Sequence, residues 1–540
     1  GLDCPSALIL VKDFPFSSDY AGVMSMLAVF CPKNCFCLFL LLSSIFATFA
    51  EAKRLRVPEP GLEKALAETL GVPRDELTEE LVAKNLRFLD AGNRQLRDLT
   101  GLEVAENLEV LDLRQNLIED ISPLAGLPNL VRLDLSGNRI NNLSVLESLS
   151  LDRMKKEISQ IQVALQSRSL TKEGKANLIV KLSGVVNRIN RGTWSLQILS
   201  VANNKLLGLS GVGHLTSLRH LDVSRNSLID LEGVGQLRNL VTLSAQGNQL
   251  GRVESYVDVD KDKEYTPGID QLKDESGNGK RDTDPLIELR SLPNLINLYL
   301  YDNLLTNTLS LSGLPSLKFL LLSGNKLDEI DNLREFKGLI RLALSDNRIT
   351  TLDGLEGLPK IEHLYLEENM ICDLRPLSAL SSLLELRLQR NQVYRLHSLK
   401  DLKKLRALAL SNNFIHELTP ILDLPKLRRL SLSSNCIALD DAVLEEALKK
   451  LRRSGVFVSE GSQRKRIVEA EQLFESLSGR PSSNKILGEF LREKNRYDRL
   501  IDLAEDTQVA DPLKKVAYKN WEDLLRRGKL DEGTFLLPGN

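Results

Sequence analysis

Leu108-Glu109-Val110-Leu111-Asp112-Leu113-Arg114-Gln115-Asn116 is followed 22 residues later by Leu130-Val131-Arg132-Leu133-Asp134-Leu135-Ser136-Gly137-Asn138. The same spacing returns at Leu196-Leu199-Val201-Asn204, Leu218-Leu221-Val223-Asn226 and Leu240-Leu243-Ala245-Asn248, then runs unbroken through Asn303, Asn325, Asn347, Asn369, Asn391, Asn413 and Asn435. A strand sends alternate side chains to opposite faces, so Leu111 and Leu113 point inward while Val110, Asp112 and Arg114 line an outer surface. Each ladder asparagine falls where the chain bends out of the strand. Its amide can satisfy the backbone groups that the bend leaves unpaired, so a structural role is expected for all of them.

This is the pattern L-x-x-L-x-L-x-x-N-x-L of a leucine-rich repeat, and it predicts an α/β solenoid with one short parallel strand per turn, the strands lining the concave face of a horseshoe. Proline at Pro128, Pro315, Pro359 and Pro425, with Pro293 in the same phase, stiffens the return path to the next strand. Repeats this short leave room for tight turns or 3₁₀ pieces on the convex side rather than full helices.

The array divides the chain. Residues 1–52 form a leader, 53–100 an N-terminal cap and first repeat, 101–149 repeats, 150–190 a helical-hairpin insertion, 191–252 repeats, 253–285 an acidic loop, 286–438 repeats, 439–460 a C-terminal cap and 461–540 a helical tail. In the N-terminal cap, Leu62, Ala65, Leu66 and Leu70 are spaced for a helix after Pro58 and Pro60, and Thr78 with Leu81 opens a second. In the first insertion Ile158, Ile161 and Leu165, then Leu178, Val180, Leu182, Val185, Val186 and Ile189, predict two helices about a turn near Thr171 to Gly174. Val443, Leu444, Ala447, Leu448 and Leu451 share a helical face in the closing cap, and Val456-Phe457-Val458 would add a last strand. The tail carries three further amphipathic patterns, which would form a small bundle or pack back on the last repeats.

With 71 basic and 73 acidic residues and a pI near 6.4, the chain has no electrostatic case for nucleic acid or for an anionic membrane surface. In the leader, Lys33, an apolar run from Cys35 to Phe49 and the small residues of Ala50-Glu51-Ala52 read as a secretory signal cleaved before Lys53. At about 15 residues the run is short of the roughly 20 a membrane span needs, so no stable span is expected in the mature chain. Four of six cysteines lie in the leader. The other two, Cys372 and Cys436, fall three turns apart, about 14 Å and too far for a disulfide.

The run from Val57 to Gly71, with the stretch from Leu86 to Leu130 after it, resembles the start of secreted bacterial leucine-rich repeat proteins of the internalin type. Asn93 falls one residue early against the ladder, as in that family. The resemblance covers about residues 55–458 outside the insertions and implies an extracellular module, secreted or in the cell envelope, that binds a protein on its concave face.

Enzyme chemistry has no constellation here. The concave histidines His220 and His363 are five strands apart, about 24 Å, and there is no nucleophile elbow, phosphate loop or H-E-x-x-H. Three readings compete: an extracellular protein-binding module, an intracellular scaffold resembling the leucine-rich repeat regulator of protein phosphatase 1, and an enzyme whose active part is the tail. The leader favours the first. Its binding residues are expected where outward positions are large: Tyr299, Tyr301, Phe319, Leu321, Arg341, His363 and Tyr365.

The acidic insertion holds ten acidic and five basic residues. Asp274, Ser276 and Asn278 occupy alternate positions, Gly279 follows, and Asp282 and Asp284 continue the run, a pattern similar to the calcium loops of thrombospondin type-3 repeats and, more loosely, of EF-hands. Alternate oxygens in a tight loop wrap a hard cation, so calcium is a candidate cofactor. The alternative is a charged loop that is merely solvated.

Overall fold

The computed structural model describes residues 53–149, 151–167, 171–190, 196–252, 256–257, 271–272, 284–437 and 442–463. The expected leader, the helical tail beyond Gln463 and most of the acidic insertion lie outside these residues.

Fourteen parallel strands form one open sheet, from Phe88–Asp90 to Phe457–Ser459, each hydrogen-bonded to the next in the array. Every strand is three residues long with its central leucine or valine facing in, and the register advances without slippage: Leu89 opposite Leu111, Leu111 opposite Leu133. The two insertions leave that register intact. Leu133 pairs directly with Leu199, and Leu243 with Leu298, so each insertion is looped out of a single turn of the solenoid. The 66-residue gap after Asn138 therefore holds one ladder step.

The leucine spacing explains the core. Inward residues from neighbouring turns stack into one continuous cluster from Leu55 to Val456, most of them with no exposure. Burial of the whole inward face supplies the driving force that three-residue strands lack by themselves. On the convex side each return path closes with a short 3₁₀ turn, such as Ser122–Gly126 or Leu355–Gly357. Gly354 shows how tightly these turns stack. It sits at φ 99°, and a Cβ there would lie 2.8 Å from the backbone of Asp331 in the preceding turn.

The ladder asparagines do more than close their own bend. Asn116 Nδ2 donates to Leu113 O of its own turn and to Ala91 O of the turn before, while its Oδ1 accepts from the amides of Arg94 and Leu96. Each asparagine thus ties two turns together. The residue before it is forced to positive φ, and Gln115, Asn203, Arg225, Asp302, Asp346 and Glu368 all adopt this conformation. Asn93 occupies the same left-handed slot at φ 57°, with its amide bonded to Arg114 O. That is why it stands one residue early: it is the counterpart of Gln115, not of Asn116.

At the N-terminal end, helix α1 (Pro60–Leu70) lays Leu62, Ala65 and Leu66 over the first rung, and α2 (Glu79–Asn85) is capped by the Thr78 hydroxyl, which accepts from Leu81 N. Helices α3 (Leu151–Leu165) and α4 (Lys172–Asn190) form a hairpin with a small core of its own, Ile161 and Val185 packed by Ile158, Leu165, Leu178 and Leu182. Val180 does not join that core; it is 72% exposed, with Ile179 and Val163 also in solvent. Helix α5 (Ala442–Arg453) buries Leu448 and Leu451 at the other end, whereas Val443 points outward. Within the acidic insertion, Tyr256–Val257 pairs antiparallel with Gln271–Leu272, a short ladder that its reading as a loop did not anticipate.

Candidate functional site: the concave face

The in-register sheet turns sequence periodicity into rows of side chains about 4.8 Å apart. One row carries Asn297, Phe319, Arg341, His363, Glu385, Ala407 and Arg429; the next carries Tyr299, Leu321, Ala343, Tyr365, Arg387, Ala409 and Ser431. The anticipated residues are brought together: Tyr299, Tyr301, Phe319, Leu321, Arg341, His363 and Tyr365 form a contiguous, partly exposed patch across four strands. Asn297 Nδ2 donates to Thr242 Oγ1, tying the patch to the preceding strand. Ala343 is buried between its larger neighbours and leaves a dip in the patch.

A polar network that the search for large side chains missed adjoins it. Glu385 is the hub: Arg387 donates to its Oε1 at 2.8 Å, and the Tyr365 hydroxyl donates to its Oε2 at 3.3 Å, where His363 Nδ1 also lies at 3.2 Å. The Arg387 guanidinium stacks 4.6 Å over the Tyr365 ring and reaches Glu367 at 3.7 Å. Glu367 in turn accepts from Ser345 Oγ. Burial pushes the Glu385 carboxyl up, but its bonds to Arg387, His363 and Tyr365 outweigh this and hold it below its ordinary value. Burial, reinforced by the Glu385 charge, raises the Tyr365 hydroxyl. Both residues are therefore fixed in one protonation state near neutral pH, with their side chains held in place.

Beyond this network lies a depression of about 220 Å³, floored by Ala407 and Ala409 and walled by Glu385 and Arg387 on one side and by Arg429 and Phe457 on the other. Phe457 is 71% exposed on the last strand. In sequence Ala407, Ala409 and Ser411 fall outside the large outward residues expected to bind, because they are small. On a sheet of fixed register, small residues between large ones make a hole, and that signal was available in the alternation itself.

The earlier rungs differ in character. Asp90, Asp112, Asp134 and Asp222 occupy the second row, each with an Oδ1 accepting a backbone amide two residues on, so they shape the exit from the strand; Arg114 pairs with Asp112 at 3.3 Å, and Arg132 stands in the first row. His220 is exposed and five strands from His363. Among the described residues no group of three His, Cys, Asp or Glu side chains is placed to hold a metal ion, and no helix is long and apolar enough to cross a membrane. Of the candidate calcium residues, Asp274, Ser276, Asn278 and Asp282 lie outside the described part; Asp284 Oδ1 accepts from Leu286 N and opens the next 3₁₀ turn.

Comparison with known proteins agrees with this architecture. A model of leucine-rich repeats in two copies matches residues 106–148 and 337–379, and a model of a single leucine-rich repeat matches residues 214–237. No curated protein matches the chain. Among solved structures, an internalin (inlF) of Listeria monocytogenes is 20% identical with a TM-score of 0.58, covering 77% of this chain and 100% of that one. A leucine-rich repeat protein of Leptospira interrogans is 24% identical with a TM-score of 0.50, covering 66% and 74%. At these identities the likeness is one of fold, and no catalytic family is indicated. A repeat ladder matched at three places and a capped solenoid superposable on an internalin lead to one conclusion: the chain carries leucine-rich repeats, and its solenoid is similar in fold to that of an internalin.

Proposed function

We propose that this chain is a non-catalytic, extracellular or envelope-bound recognition module that binds a protein ligand on the concave face between the strands Asn297–Tyr299 and Glu385–Arg387. The observation that carries the reading is the contiguous aromatic patch of Tyr299, Tyr301, Phe319 and Tyr365, part exposed on a rigid sheet and bordered by the Glu385 network. Preorganised aromatic side chains lose little entropy on binding and are common interface anchors. The leucine-rich repeat fold suits protein recognition because it offers a long concave surface built from independently variable positions. The signal-like segment before Lys53 supports export and weighs against an intracellular scaffold.

Replacing Tyr299, Tyr301, Phe319 and Tyr365 together by serine should leave the circular dichroism spectrum unchanged and abolish retention of ligand from the native surroundings. Unchanged retention would refute the concave site. Mass spectrometry of the exported protein separately tests location: a mature N-terminus at Lys53 is expected, and a chain still carrying the apolar run from Phe36 to Phe49 would refute cleavage.

A further inference from the structure

In the C-terminal half of the concave face, Arg341 and Arg429 stand apart from the engaged charges around them. Glu385, Arg387, Glu367 and His363 are engaged with one another, as described above. Arg341 and Arg429, in the same row, make no salt bridge and no side-chain hydrogen bond among the described residues. Arg341 Nε is sealed from solvent and has no acceptor. Its neighbours in the row are Phe319 and His363, which displace water from one end of the guanidinium. Arg429 is exposed at the rim of the depression, beside Phe457.

The register fixes their separation. Arg341, His363, Glu385, Ala407 and Arg429 are successive partners, so the two arginines lie four strands apart, about 19 Å across the sheet. Between them the network around Glu385 sets two carboxylates, Glu385 and Glu367, against the one guanidinium of Arg387, so it attracts no further carboxylate and the stretch of ligand that crosses it should be free of acidic residues. The depression next to Arg429 is smaller than the ~300–1,000 Å³ of a typical small-molecule pocket and suits a single side chain. Its floor of Ala407 and Ala409 favours an apolar one.

We propose that the ligand is an acidic protein segment that crosses the strands of the C-terminal half, placing one carboxylate on Arg341 and another on Arg429, with an apolar side chain beside the second seated over Ala407 and Ala409. This rests on the concave-face reading above and adds the chemistry and placement of the ligand. Guanidinium and carboxylate match in fork geometry, and a partly dehydrated arginine attracts a carboxylate more strongly than a fully hydrated one. In the N-terminal half the same row holds only Arg132, with Asp112 and Asp134 in the row beside it, so two unpaired arginines within reach of one short segment occur only in the C-terminal half of the described face. An extended chain rises about 3.3 Å per residue, so the two carboxylates should be about six residues apart.

The probe is a phage-displayed library of random twelve-residue peptides, panned over the immobilised full chain. Selected peptides should share two Asp or Glu residues about six positions apart, with an apolar residue next to one of them. A synthetic peptide of the selected sequence should then bind Arg341→Gln and Arg429→Gln each about five- to tenfold more weakly than the unaltered protein. The double variant should lose close to the product of the two, because the sites are too far apart to couple. Arg341→Lys and Arg429→Lys should keep part of the affinity. Peptides without acidic enrichment, or equal affinity for the glutamine variants, would overturn the acidic ligand; if such peptides still failed on the quadruple serine variant, the concave site itself would stand. Peptides indifferent to both sets of substitutions, or no enrichment at all, would overturn both.

Discussion

Replacing Asn413 by alanine tests how the ladder holds the solenoid together. Its side chain is fully buried. Asn413 Nδ2 donates to Leu388 O at 2.8 Å in the turn before and to Leu410 O at 2.9 Å in its own, and Oδ1 accepts from Val393 N at 2.9 Å. Both carbonyls are shared: Leu388 O also accepts from Asn391, and Leu410 O from Asn435. Alanine therefore leaves Val393 N–H as a buried orphan, while each carbonyl keeps one partner. An orphaned buried donor costs about 1–3 kcal/mol, and two lost bonds with a small void bring the expected destabilisation to about 3–4 kcal/mol. Because each turn contacts only its neighbours, the loss should be local. Urea unfolding would give its size, and hydrogen exchange should show lost protection concentrated between Leu388 and Leu410, with the N-terminal repeats unchanged. Lys326→Ala, exposed on the same repeat array, serves as the control and should stay within about 0.5 kcal/mol. A loss for Asn413→Ala no larger than that of the control would refute the view that these asparagines tie adjacent turns.

Three further outcomes follow from particular residues. Glu385 is held below its ordinary value, so its contribution to stability is present above the unfolded carboxylate pKa of about 4.3 and is lost as pH falls through the folded value; the melting temperature of Glu385→Gln should fall less than that of the unaltered protein over this acid range, and parallel curves would count against the network. Burial, with a smaller push from the Asp373 charge, raises the Cys372 thiol to about 12, so it should resist iodoacetamide in the native protein at pH 8 and react once unfolded; rapid native alkylation at Cys372 would contradict its burial. Calcium added to the mature protein should release or absorb heat and raise the melting temperature if Asp274, Ser276, Asn278, Asp282 and Asp284 form a loop site, and silence at millimolar calcium would leave the insertion as a solvated loop.

The sequence alone determined the solenoid, because a period of 22 with leucine at fixed offsets has one economical way to bury its apolar face, and it placed Tyr299, Phe319, Arg341 and Tyr365 on the outward side because a strand alternates strictly. It also marked α1 and the hairpin through helical spacing. Tertiary structure decided what depends on neighbours 22 or more residues away. Leu133 meets Leu199 across an insertion because the stacked core resumes register regardless of what is looped out. Asn116 reaches Ala91 O because stacking brings the earlier turn within hydrogen-bond distance. Whether an arginine is paired depends on which carboxylate stands beside it on the sheet: Arg387 meets Glu385 and Glu367, whereas Arg341 meets Phe319 and His363. Likewise Ala407 and Ala409 became a depression only when Arg387 and Phe457 rose on either side, since a hole is a property of several turns at once and of no single repeat.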